Sequence, residues 1–97
     1  MYQVKFKVGF THHYSSDRKM TYYSVLIDNR NTFWMNIKAE PGNRYFPFIH
    51  TPEEYSINGS NFYGGLQKTL KDAKKFIVNW VNHPDNKKFI DEKILYR

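Results

Sequence analysis

The sequence has no cysteine, which removes disulfide scaffolds, thiolate zinc sites, thiol nucleophiles and iron–sulfur ligation together. The fold must rest on a packed core. Long apolar runs are missing too. Residues 1–10 alternate apolar with polar side chains rather than forming a secretory leader, and no stretch is long enough to cross a bilayer as a helix. A cytoplasmic protein with no membrane partner is the expectation. Proline (4) and glycine (5) are sparse, so they punctuate the chain rather than pervade it. Aromatic residues make up 19%, too many for a disordered tail, and 97 residues leave room for one small domain, 1–97.

What is abundant is positive charge. Fifteen Lys+Arg stand against nine Asp+Glu, a formal net charge of +6 that suits an acidic partner and says nothing of fold. It is unevenly spread, at +3 over residues 1–40, −1 over 41–65 and +4 over 66–97, with a charge-pure tail at neither end. Asn, Lys, Ile, Phe and Tyr account for 43 of the 97 residues. Their codons are AT-rich, a trait of many phage and bacterial genomes.

Tyr2, Val4, Phe6, Val8 and Phe10 alternate with Gln3, Lys5, Lys7 and Gly9. Period two excludes a helix and predicts a half-buried strand with all five apolar side chains on one face. Thr11–Lys19 shows no periodicity and reads as a polar loop. Met20–Asp28 and Thr32–Ala39 read as two further strands around a tight turn at Asp28-Asn29-Arg30-Asn31. In the second of these, Phe33, Met35, Ile37 and Ala39 alternate with Trp34, Asn36 and Lys38. Glu40-Pro41-Gly42-Asn43 supplies another turn, with positive φ expected at Gly42. Arg44–His50 is extended, and Pro47 within it belongs at an edge or a bulge.

Thr51-Pro52-Glu53-Glu54 fits a capping box for a brief helix that Asn58-Gly59 ends. Phe62–Leu66, with Gly64-Gly65, fits either a short strand or the approach to a helix. Thr69 then opens a longer helix, in which Leu70, Ala73, Ile77, Trp80 and Val81 recur at helical spacing, ending near Asn82 before Pro84. Lys93–Tyr96 reads as a short terminal strand. The expected fold is therefore α+β: an antiparallel sheet of four or five strands, one long C-terminal helix packed on one face, and a short terminal strand.

With the helix on one face, the other should gather Lys5, Lys7, Tyr22, Ser24, Trp34, Asn36 and Lys38. Flat rings among ammonium groups suit single-stranded nucleic acid, whose bases stack on aromatics while lysines neutralise phosphates. The same rings suit a protein interface. Lys68, Lys71, Lys74 and Lys75 scatter over more than one helical face and read as a solvated surface. His12, His13, His50 and His83 lack metal-ligand spacing, Gly64-Gly65 lacks the rest of a phosphate loop, and G-x-S-x-G is absent.

The expectation is a non-enzymatic binding protein without cofactor or metal. Lys5, Lys7, Tyr22, Trp34, Asn36 and Lys38 would engage nucleic acid or a complex that handles it. An inhibitor or adaptor of a mobile element, occluding a host enzyme, is the alternative. A small nuclease centred on His12, His13 or His50 is a minor one. An open sheet edge would also allow pairing with a second copy.

Overall fold

The computed structural model describes residues 1–15, 18–52, 55, 61–63 and 65–97, with backbone alone at Tyr14 and Asn61–Tyr63. Of the short helix expected after Thr51, only Pro52 and Tyr55 are described, and the Tyr55 amide donates to the Pro52 carbonyl at 2.9 Å; the rest of it lies outside the described residues. Five antiparallel strands, β1 (Val4–Ser15), β2 (Arg18–Ile27), β3 (Arg30–Glu40), β4 (Arg44–His50) and β5 (Asn61–Tyr63), follow one another across the sheet in chain order. Helix α1 (Leu70–Val81) follows, then a 3-10 turn (Pro84–Asn86) that runs into helical residues Lys87–Phe89 and a π-helical turn Ile90–Ile94. The architecture is α+β, with helices on one side of an antiparallel sheet.

Local chemistry accounts for the joints. Asp28 (φ 49°) and Asn29 (φ 67°) both sit in the left-handed region, the pair of angles that a two-residue hairpin turn requires between Ile27 and Arg30. Gly42 (φ 84°) and Asn43 (φ 57°) do the same work between β3 and β4, where Glu40 pairs with Arg44. Tyr45 exchanges both backbone hydrogen bonds with Gln67. Odd-numbered β4 amides therefore point away from β3. Sheet order puts β4 between β3 and β5, so Pro47 is not on an edge strand; the donor it lacks would have pointed away from β3, between the Tyr45–Gln67 bridge and the Phe48–Tyr63 pair.

The core lies between sheet and helices. Val25, Ile27, Met35, Ile37 and Ile49 from the sheet meet Ala73, Ile77 and Val81 from α1, each at most 1% exposed. Phe89, Ile90, Ile94 and Leu95 close it from the C-terminal segment. Each large side chain so buried contributes about 1.5–3 kcal/mol against chain entropy. Ala73, Ile77 and Val81 fall on one helical stripe, and the Thr69 hydroxyl caps the first turn by accepting from the Asp72 amide at 3.1 Å.

A clasp joins the two ends of the chain. The Tyr2 amide donates to Asn82 Oδ1 at 2.7 Å, and the Tyr2 hydroxyl donates to Asp91 Oδ1 at 2.5 Å. Lys87 holds the other Asp91 oxygen. Across the sheet end, Gln3 donates to Asp28 Oδ1 at 2.8 Å, and Arg97 approaches the same carboxylate at 3.6 Å.

Four further expectations are corrected. Residues 11–15 and 18–19 are strand, not loop: Thr11, His12 and His13 pair with Thr21, Met20 and Lys19. None of the described side chains of this hairpin arm is buried, so the period-two apolar signal does not arise there. The C-terminal residues 93–94 belong to a helical turn rather than a terminal strand, because Ile90 and Ile94, one turn apart, both face the core. Tyr96 (φ 57°) then turns the chain out.

The third correction concerns Phe10. The β1–β2 register slips between Val8 and Phe10, so Gly9 is an extra residue and Phe10 shifts to the face opposite Val8. The fourth concerns the start of β3, where the register jumps from Ser24–Asn36 to Val25–Thr32. Thr32 turns inward at 7% exposure and accepts from the Trp34 amide at 3.1 Å. Phe33 is thrown out to 89% exposure, and Trp34 packs against the core.

Candidate functional site

The face of the sheet opposite the helices carries the candidate site. Antiparallel register sets its rows, since directly paired residues project to the same side. One row crosses four strands: Phe10 on β1 pairs with Tyr22, Tyr22 with Lys38, and Lys38 with Phe46 on β4. The next reads Lys7, Ser24, Asn36 and Phe48. Lys5 pairs with Leu26 beyond it. Phe10 is 56% exposed, and Tyr22, Lys38, Asn36, Phe46 and Phe48 are half-buried, as expected for side chains lying against one another on a face that no described helix covers.

Ring and charge contacts tie the first row together. The Phe10 and Tyr22 centroids are 5.9 Å apart, and Phe10 lies 6.4 Å from His12 in a stacked arrangement. Lys38 Nζ sits 5.0 Å from the Phe46 centroid, and Arg44 approaches the same ring at 5.7 Å. A ring quadrupole attracts each cation. Lys38 and Arg44 also flank Glu40, at 3.6 and 4.0 Å. Among the described residues Glu40 is the carboxylate these two cations share. Beside it an open cavity of about 460 Å³ is lined by Arg18, Glu40, Pro41 and Arg44.

Of the six residues singled out from sequence, Lys7, Tyr22, Asn36 and Lys38 share these two rows. Lys5 is on the same strand, with its ammonium donating to Asn29 Oδ1 at 3.2 Å. Trp34 is not among them. Its ring stacks on His50 at 5.6 Å and meets the edge of Phe89 at 5.8 Å, so it buttresses the C-terminal segment. Phe10, Phe46, Phe48 and Arg44 join the site without having been singled out. A glycine inside a strand pattern was the available signal for Phe10, because it marks a bulge. For β4 the alternation of Tyr45, Pro47 and Ile49 with Phe46 and Phe48 was the signal.

The histidines are dispersed. His12 and His13 lie along the arm, His50 stacks on Trp34, and His83 Nδ1 accepts from the Asp85 amide at 3.2 Å at the start of the 3-10 turn. Among the described residues no group of three His, Asp or Glu side chains is placed to hold a metal ion. No helix among them is long and apolar enough to cross a membrane. Lys74 lies over the Phe6 ring at 5.5 Å, while Lys71 and Lys75 face solvent on α1.

No known protein family matches the chain, and no solved structure matches it. An uncharacterized protein of Acanthamoeba polyphaga mimivirus is 29% identical over 72 residues, which is 73% of this chain. The matched region spans only 4% of that much longer viral protein.

Proposed function

We propose that this protein binds single-stranded nucleic acid on the open face of its sheet, without catalysis. The row Phe10–Tyr22–Lys38–Phe46 supports this. It sets three rings and one ammonium in register across four strands, with Lys7 one row away. Bases stacking on such rings gain about 1–3 kcal/mol each regardless of sequence, while the lysines displace counterions from the phosphates. Trp34 has no part in this surface, and Phe10 and Phe46 take its place beside Lys7, Tyr22, Asn36 and Lys38.

The test is fluorescence anisotropy with single-stranded and duplex oligonucleotides over a salt series. Single strands should bind more tightly than duplex, with an affinity that falls steeply as salt rises. Tyr22→Ala and Phe46→Ala should each weaken binding about tenfold with the salt slope unchanged, and Lys38→Ala should flatten the slope. Equal binding of duplex and single strand, or no binding at all, would refute the proposal.

A second reading, occlusion of a host protein by a mobile-element product, draws on Phe33, which is 89% exposed and lies beside Trp34 rather than in the two rows. A large exposed aromatic serves as an interface anchor. Binding of that kind would depend weakly on salt and be lost in Phe33→Ala.

A further inference from the structure

Strand β1 lies at one edge of the sheet, with β2 on one side and no described strand on the other. Parity shows which of its backbone groups face outward. The Asp28 amide donates to the Gln3 carbonyl at 2.8 Å, so odd-numbered residues at this end of β1 turn their backbone polar groups toward β2 and even-numbered ones turn theirs away. At Tyr2 the outward pair is already taken. Its amide donates to Asn82 Oδ1 at 2.7 Å and its carbonyl accepts from Asn82 Nδ2 at 3.4 Å, the two bonds that a neighbouring strand would make. Val4, Phe6 and Val8 continue that edge in unbroken register up to the bulge at Gly9, and no hydrogen bond among the described residues meets their outward groups.

We infer that the edge Val4–Val8 takes up an extended acidic segment of a partner protein as a further antiparallel strand. This goes beyond the nucleic-acid reading and does not rest on it.

Charge selects an acidic occupant. Exposed Lys5 and Lys7 stand on one flank of the edge. On the other flank α1 runs beside β1: Asn82 meets Tyr2 and Lys74 meets the Phe6 ring, about 12 Å of helix against about 13 Å of strand. Exposed Lys71 lies one turn before Lys74 on the same helical face. Strand β1 carries no carboxylate and α1 carries one, Asp72.

Backbone chemistry selects a peptide. Val4, Phe6 and Val8 each present a donor and an acceptor, which another peptide backbone answers group for group, whereas a phosphodiester backbone offers acceptors alone. Like charge disfavours a second copy. Two-fold antiparallel pairing centred on Lys5, Phe6 or Lys7 would set lysines of the two copies directly opposite each other. In a heterologous partner, the positions opposite Lys5 and Lys7 are non-hydrogen-bonded sites, where side chains come closest, so carboxylates belong there. The alternate positions make the backbone bonds and lie beside Val8, 61% exposed, where apolar side chains fit.

The experiment titrates the isotope-labelled full chain with the capped peptide Glu-Val-Glu-Val-Glu-Val-Glu and follows amide shifts and hydrogen exchange by NMR. Exchange at the Val4, Phe6 and Val8 amides should slow. The peptide with Gln for every Glu should bind about tenfold more weakly at low salt, and Lys5→Gln combined with Lys7→Gln should erase that difference. N-methylation of the peptide's valines should abolish binding, while N-methylation of its glutamates should leave it within about twofold.

Equal binding of the Glu and Gln peptides, equal effects of the two methylations, or exchange at Val4, Phe6 and Val8 that does not slow overturns the inference. Dimerisation of the free chain that protects the same three amides overturns it in favour of a second copy, and protection of them by oligothymidylate overturns it in favour of nucleic acid. Failure of every peptide to bind overturns it too, and leaves the stacking rows of the opposite face untouched.

Discussion

Replacing Gly9 with alanine would place a Cβ 2.3 Å from Ser24 Oγ, with Ser24 Cβ at 3.5 Å and the Tyr22 carbonyl oxygen at 3.6 Å. Only the hydroxyl is too close. It must rotate off its rotamer or push β1 from β2, at a cost of about 1–2 kcal/mol. For a domain of this size each kcal/mol lowers Tm by about 4–8 °C. In a Ser24→Ala background the same alanine meets ordinary contacts, and the restricted unfolded chain then gains about 0.4–1 kcal/mol. Gly9→Ala should therefore destabilise the wild-type protein and be neutral or stabilising beside Ser24→Ala. A double-mutant cycle by urea unfolding reads the coupling. Equal loss of stability in both backgrounds would refute the register at the bulge, and with it the placement of Phe10 on the open face.

The clasp between the chain ends makes stability fall at both extremes of pH. Hydrogen bonds from Lys87 and then Tyr2 hold the Asp91 carboxyl below its ordinary value of 3.8, so its contribution is present above that value and lost as pH falls through the folded pKa. Burial, and then the Asp91 carboxylate, raise Tyr2 above 10.0, and the hydrogen bond to Asp91 raises Lys87 above 10.5. Their contributions are present below those values and lost as pH rises through the folded pKa values. Asp91→Asn should remove the acid limb attributable to this carboxyl, as measured by thermal unfolding between pH 2 and 7. Ile77→Ala, at a fully buried position between sheet and helix, should cost about 2–5 kcal/mol in urea unfolding. Thr69→Ala removes the hydroxyl that caps α1 and should cost about 1 kcal/mol, with Thr69→Ser recovering most of it.

Helix α1 was legible because its stripe and its cap coincide: Ala73, Ile77 and Val81 repeat every four residues, and Thr69 precedes them. The turns at Asp28-Asn29 and Gly42-Asn43 were legible because few residues adopt positive φ. The arm at 11–15 was not, since alternation reports burial on one face and none of the arm's described side chains is buried. Phe10 and Trp34 were misplaced for one reason. Simple alternation assumes a constant register, and a bulge breaks it at Gly9 and again between Thr32 and Met35. Of the candidate site, the lysines and Tyr22 were legible as the polar side of two strands. Phe46 became part of it only once β4 was paired beside Lys38. The end of the chain was misread because Ile94, Leu95 and Tyr96 form a run too short to show its period.

The face opposite the helices also separates two kinds of side chain. Phe10, His12 and Tyr22 belong neither to the buried cluster nor to the side chains packed against it. Substitutions there change the surface while leaving the packed interior as it is. The proposed binding surface can therefore vary while the Val25–Ile77 interior is kept.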